Sequence, residues 1–218
     1  MAVFRKKVLG ELNGKVGEFV GKTRNGKHYI ASVPSQYTMS DEPHEVDKRS
    51  RFKVNGKFAK AVRENELLYR IWEREKAPAS TAYNKICKVN FHLCGTDRPT
   101  GENVITPGGF KLTVTDIYPG PDGIDVTIEP FDMTDNEAAV IFIMMVSFYE
   151  PKIKGLEYYK VCSLNDYDIE ELNLKFKYDE DEKKIAGKYR NGTVFFAAVT
   201  VDGDGEVVRW SETTSLEI

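Results

Sequence analysis

The chain has 218 residues, of which 41% are hydrophobic, 11% aromatic and 30% charged, a balance that excludes global disorder, collagen-like repeats and a disulfide scaffold. The net charge of −3 conceals a division, because residues 1–90 carry +9 and residues 91–218 carry −12. Opposite-sign halves point to a basic arm for nucleic acid, to association of complementary surfaces, or to two solvated domains whose charges serve solubility.

No apolar run approaches the roughly 18 residues of a membrane helix; the longest, Ala138–Val146, has the length of a buried strand. Arg5, Lys6 and Lys7 are not followed by the apolar stretch of a secretory signal. Three cysteines cannot all pair with one another, which fits a reducing compartment. The expectation is a cytoplasmic protein without a membrane partner.

Residues 1–40 read as a basic, glycine-rich extended arm. Gly10, Gly14, Gly17, Gly21 and Gly26 interrupt every stretch. Asn25-Gly26 favours a tight turn, so Gly17–Thr23 and Lys27–Val33 are expected to pair around it, with Pro34 ending the second strand. Residues 35–44 read as a linker.

Residues 41–95 form the expected helical subdomain. Ser40 is placed to cap a helix whose first turn holds Asp41, Glu42 and Glu45. Phe52, Phe58, Val62, Leu68, Tyr69 and Trp72 recur at helical spacing. Asn55-Gly56 is expected to break or kink this run, and Ser80 to cap a further helix bearing Tyr83, Ile86, Cys87 and Phe91.

Residues 96–218 read as β. Phe110–Ile117 and Ile124–Ile128 alternate on either side of a dense Pro-Gly turn. Further strands are expected at Ala139–Tyr149, Glu157–Leu164, Leu172–Tyr178, Thr193–Asp202 and Glu206–Ser211, with turns that include Asn165–Asp168 and Asp179–Lys184. The fold class is therefore α+β: an N-terminal arm and a small helical subdomain, followed by an antiparallel immunoglobulin-like β-sandwich. Residues from about Gly101 to Ile218 are expected to fold alone.

Catalytic signatures are missing from this reading. His28, His44 and His92 lie far apart, and no phosphate-binding glycine loop occurs. Cys87, His92 and Cys94 supply three soft ligands, but their spacing matches no common zinc site, and buried thiols are the favoured interpretation. Asp202-Gly-Asp-Gly-Glu206 lacks the length of a calcium loop and reads as a hairpin turn. No enzyme activity, metal or cofactor is expected.

What remains is the arm. Lys15, Arg24, Lys27 and Tyr29 place basic and aromatic groups along it, and Val16, Phe19, Val20 and Ile30 supply its few apolar contacts. These eight residues are the candidate partner-binding set. Gly14-Lys15-Val16-Gly17-Glu18-Phe19-Val20-Gly21, followed by Arg24-Asn25-Gly26 and Tyr29–Pro34, resembles the opening of an uncharacterised domain family common in Bacteroidetes genomes. Arg51-Phe52 and Thr81-Ala82-Tyr83-Asn84 continue the resemblance, as does the β-rich second half. The basic opening Phe4–Lys7 departs from that pattern. The resemblance implies no catalytic residues. The expected role is a structural subunit of a virion or other multi-subunit assembly, joining copies of itself or other subunits through the arm; the alternative is a nucleic-acid-associated protein using the same arm.

Overall fold

The computed structural model describes residues 2–3, 14–24, 26–33, 39–157, 159–164 and 173–218. The Pro34 stop, Asn25, the basic opening Phe4–Lys7, the turn at Asn165–Asp168 and the side chain of Cys162 lie outside the described residues. The chain divides into two compact units, Met1–Glu42 and Pro43–Ile218. Its secondary structure is α+β, with sheets built almost wholly of antiparallel pairs.

In the first unit, β1 (Ala2–Val3), β2 (Gly14–Val16), β3 (Phe19–Arg24) and β4 (Lys27–Ser32) form one sheet in the order β1-β4-β3-β2. An extended arm is thus replaced by a small sheet. β3 and β4 pair from Arg24 opposite Lys27 to Phe19 opposite Ser32. Gly26 sits at φ +72°, the left-handed conformation that a two-residue hairpin turn requires.

The second unit begins with three helices, α1 (Pro43–Glu64), α2 (Glu66–Arg74) and α3 (Ala82–Asn90). Asn55-Gly56 does not break α1. Asn55 is buried and its Nδ2 donates to the Cys87 carbonyl at 2.8 Å, so its polar side chain is satisfied by α3 instead of competing for its own backbone. A Cβ on Gly56 would stand 3.3 Å from Tyr83 Oη, so the missing side chain lets α3 close on α1.

The break comes at Asn65 instead, whose side chain accepts from the Leu68 N–H at 3.1 Å and caps α2. α3 is capped by Thr81, one residue beyond the expected Ser80. Ser40 Oγ accepts from the Glu42 N–H, before α1 begins. Phe58, Val62, Leu68 and Trp72 are fully buried, whereas Phe52 is 62% exposed and Tyr69 also reaches solvent.

Two sheets follow. A three-stranded sheet joins β5 (Val114–Gly120), β6 (Gly123–Ile128) and β9 (Asn173–Lys177) in that order. A five-stranded sheet has the order β11-β10-β7-β8, from β7 (Ala139–Pro151), β8 (Tyr159–Leu164), β10 (Tyr189–Val201) and β11 (Val207–Trp210), with β12 (Thr214–Glu217) also paired to β10. β12 carries no strong apolar pattern and is absent from the sequence reading; it is held by backbone pairing along Thr193–Phe196. The acidic run expected as a turn is instead the short helix α4 (Glu180–Ala186). Asp179 accepts from the Asp181 and Glu182 N–H groups, and the Glu182 carboxylate accepts from the Asp179 N–H.

Strands β7 and β10 are covered on both faces. Val140, Phe142, Met144, Val146, Phe148, Val194, Phe196 and Ala198 pack with Ile117, Ile124, Val126, Leu174 and Phe176 of the three-stranded sheet. The alternate residues Ile143, Met145, Phe195, Ala197 and Val199 pack with Phe58, Val62, Leu68, Ile71, Trp72 and Ile86 of the helices. The rings of Phe58 and Phe195 meet edge to face at 5.4 Å.

A boundary between residues 95 and 96 is therefore wrong, because helices and sheet share one buried cluster. A continuous apolar run is the mark of a strand buried on both faces. Buried amides bind the connecting segment as well: Asn90 Oδ1 accepts from the Val104 N–H at 2.8 Å and from Asn103 Nδ2 at 2.9 Å, and Trp72 Nε1 donates to the Ile105 carbonyl at 2.8 Å. Gly109 runs so close to β11 that a Cβ there would lie 2.1 Å from the Trp210 carbonyl oxygen.

No helix among the described residues is long and apolar enough to cross a membrane.

Candidate functional site

Side chains along a strand point alternately to the two faces of its sheet, so the register of β2–β4 distributes the candidate residues. Phe19 stands opposite Val16 and Ser32, and Gly21 opposite Gly14 and Ile30. Val16, Phe19 and Ile30 therefore share one face, continued by Thr23 and His28, whose Oγ1 and Nδ1 lie 2.9 Å apart. Val20 stands opposite Lys15 and Ala31, and Lys22 opposite Tyr29. Lys15, Val20, Lys22 and Tyr29 share the other face, with Lys27 two residues along β4 from Tyr29. Arg24 pairs with Lys27 at the hairpin end.

The eight candidates are thus brought together on one sheet but not on one surface. One face is apolar and open: Val16 is 64% exposed and Phe19 57%. The other is basic, with exposed Lys15, Lys22 and Lys27 around half-buried Val20 and Tyr29. Lys22 belongs to this face although it is outside the candidate set; its two-residue spacing from Val20 and Arg24 is the signal that finds it. Ile30 is half-buried. Among the described residues the outer strand β2 pairs with β3 alone, which leaves its other backbone edge for a further strand.

The cysteine cluster takes another course. Cys94 is buried, its sulfur accepts from Asn103 Nδ2 at 3.2 Å, and burial pushes its thiol up to about 11. Cys87 is half-buried and likewise raised, chiefly by burial. His92 is exposed and meets the Phe91 ring edge to face at 5.2 Å. A thiol held neutral by burial is a poor metal ligand and nucleophile at pH 7. Among the described residues no three His, Cys, Asp or Glu side chains converge as a metal-binding group.

The Asp202 carboxylate serves the β10–β11 turn. Asp202 Oδ1 accepts from the Asp204 and Glu206 N–H groups at 3.0 and 2.9 Å, and Gly205 adopts φ +78°. Compared with protein-family models, with curated proteins and with solved structures, the chain matches none.

Proposed function

We propose that this protein is a non-enzymatic structural subunit of a virion or other multi-subunit assembly in the cytoplasm, docking onto a second copy of itself through the N-terminal sheet. Residues 43–218 then act as one rigid body, a β-sandwich of immunoglobulin-like size backed by the helices. The observation that carries the reading is the directly opposed pair Val16–Phe19, left open to solvent on a small sheet. A sheet of this size needs a partner layer over its apolar face to be stable. The charge division argues for a second copy as that layer: residues 1–90, which include the basic sheet face, carry +9 and complement the chain's own acidic half, residues 91–218, at −12.

A second reading is favoured by the opposite face. Lys15, Lys22 and Lys27 around Tyr29 present cations and a ring to a phosphate backbone.

Light scattering at low and high salt, with and without DNA, separates the two. The full chain is expected to form an oligomer without DNA, and removal of residues 1–33 or the double change Val16→Ser, Phe19→Ser to return it to a monomer. A full chain that stays monomeric alone and forms complexes only with DNA, lost as salt rises, would establish the nucleic-acid role instead.

A further inference from the structure

A cavity of about 440 Å³ opens where the β5–β6 turn, α4 and the paired ends of β7 and β10 meet. It is lined by Phe148, Tyr178 and Tyr189, three rings already in contact: the centroid of Phe148 is 6.3 Å from that of Tyr178 and 6.2 Å from that of Tyr189. Tyr189 is fixed by its hydroxyl, which donates to the Glu157 carbonyl at 2.8 Å. Three cations line the same cavity, Lys152, Lys183 and Arg190. Lys183 is partly neutralised by Asp122 at 3.1 Å. Lys152 and Arg190 are exposed, and neither side chain has a hydrogen bond or ion pair among the described residues.

The backbone beside these cations is strained. Glu150 has φ +56°, the only positive φ at a non-glycine position among the described residues. By register it faces Arg190, between the pairs Tyr149–Asn191 and Pro151–Tyr189. Its carboxylate is turned to Asn191 Nδ2 at 2.8 Å instead of to Arg190. A left-handed carboxylate residue costs energy on the order of 1–3 kcal/mol, and such strain gathers at binding sites. Here it lies inside the end of β7, whose pairing continues at Pro151 opposite Tyr189, and among the described residues neither the Arg190 guanidinium nor the Lys152 ammonium meets a protein anion.

From the cavity, its rings and its two cations unpaired among the described residues, we propose that this pocket binds a small phosphate ester carrying a planar ring, of mononucleotide size. The volume falls in the range of small-molecule sites. The phosphate would lie between Lys152 and Arg190, with Lys183 near the α4 side, and the ring against the aromatic wall. Charge-assisted contacts from a guanidinium and an ammonium favour phosphate over neutral polar groups. This site is independent of the N-terminal sheet.

Isothermal titration of the full chain with adenosine monophosphate, adenosine and inorganic phosphate tests the assignment. Adenosine monophosphate is expected to bind more tightly than either part alone, and to weaken as salt rises. Lys152→Glu and Arg190→Glu are each expected to weaken it about tenfold or more, with an unchanged melting temperature. A conservative Arg190→Lys should retain part of the affinity. Absence of binding, equal binding of adenosine and its monophosphate, or binding indifferent to both charge reversals would overturn it.

Discussion

The N-terminal sheet and the β7–β10 pair are both antiparallel, yet they end in opposite conditions. Along β7 and β10 every second side chain enters one buried cluster and the intervening ones enter another. Along β3 and β4 the same alternation separates Phe19 and Ile30 from Val20, Lys22 and Tyr29, and Phe19 remains more than half exposed. Pairing of strands is common to both regions. What differs is whether a second layer covers each face, and that decides whether a strand contributes to stability or presents a surface.

Stripping a layer from the covered region is the largest perturbation. Residues 101–218 alone would expose Ile143, Met145, Phe195, Ala197 and Val199 to water. At roughly 1.5–3 kcal/mol for each large apolar side chain, the loss is comparable with the roughly 5–15 kcal/mol that holds a domain together. The fragment is expected to show no cooperative thermal transition, whereas residues 43–218 unfold in one. This reverses the sequence-based expectation of an independent β half, and a sharp transition in the shorter fragment would restore it.

A smaller effect is expected at the ion pair under β10. The Glu137 side chain is wholly buried and receives both Nε and, at 3.0 Å, Nη2 of Arg209, while Thr200 Oγ1 donates to it at 2.7 Å. Arg209 also lies over the Phe110 ring, 4.6 Å from its centroid. Glu137→Ala is expected to cost about 3 kcal/mol in urea unfolding, because it strands the guanidinium. The hydrogen bond from Arg209 is the main cause that holds the Glu137 carboxyl down to about 2, against an ordinary 4.5. A carboxyl lowered on folding stabilises fully above its unfolded value and loses that contribution as pH falls. Stability of the parent chain should therefore drop from about pH 4.5 toward pH 2, and Glu137→Gln should flatten that part of the profile.

The smallest effect belongs to the uncovered region. None of the three buried clusters contains a described residue before Val54. Val16→Ser with Phe19→Ser is expected to change the unfolding free energy of the dilute chain by less than about 0.5 kcal/mol, measured by calorimetry. A loss of several kcal/mol would place the sheet in the folding core instead of on a docking surface.

Much of the candidate site was legible as residues and little of it as geometry. The hairpin follows from Asn25-Gly26 between short alternating stretches, and Val16, Phe19, Lys15 and Tyr29 stand out by type. Their division between two faces needed the register, since a shift of one residue exchanges the faces. The cavity was not legible at all. Lys152 and Arg190 lie 38 positions apart, and only the pairing of β7 with β10 makes them neighbours. The Asn55-Gly56 pair misled because its local preference for a turn is outweighed by a tertiary bond to the Cys87 carbonyl.

The succession of a helical segment by a β-rich one, the Asn-Gly hairpin turn and the apolar character of β7 were determined by the sequence alone, because turn dipeptides and side-chain periodicity act within a few residues. The tertiary structure decided that the helices and the five-stranded sheet are one body, that α1 continues through Gly56, and that Cys94 is a buried thiol among amides. Each of these depends on what lies opposite a residue in space, as Phe195 opposite Phe58. A strand's own sequence records that it is apolar on both faces; which segment covers each face is set by packing across the whole chain.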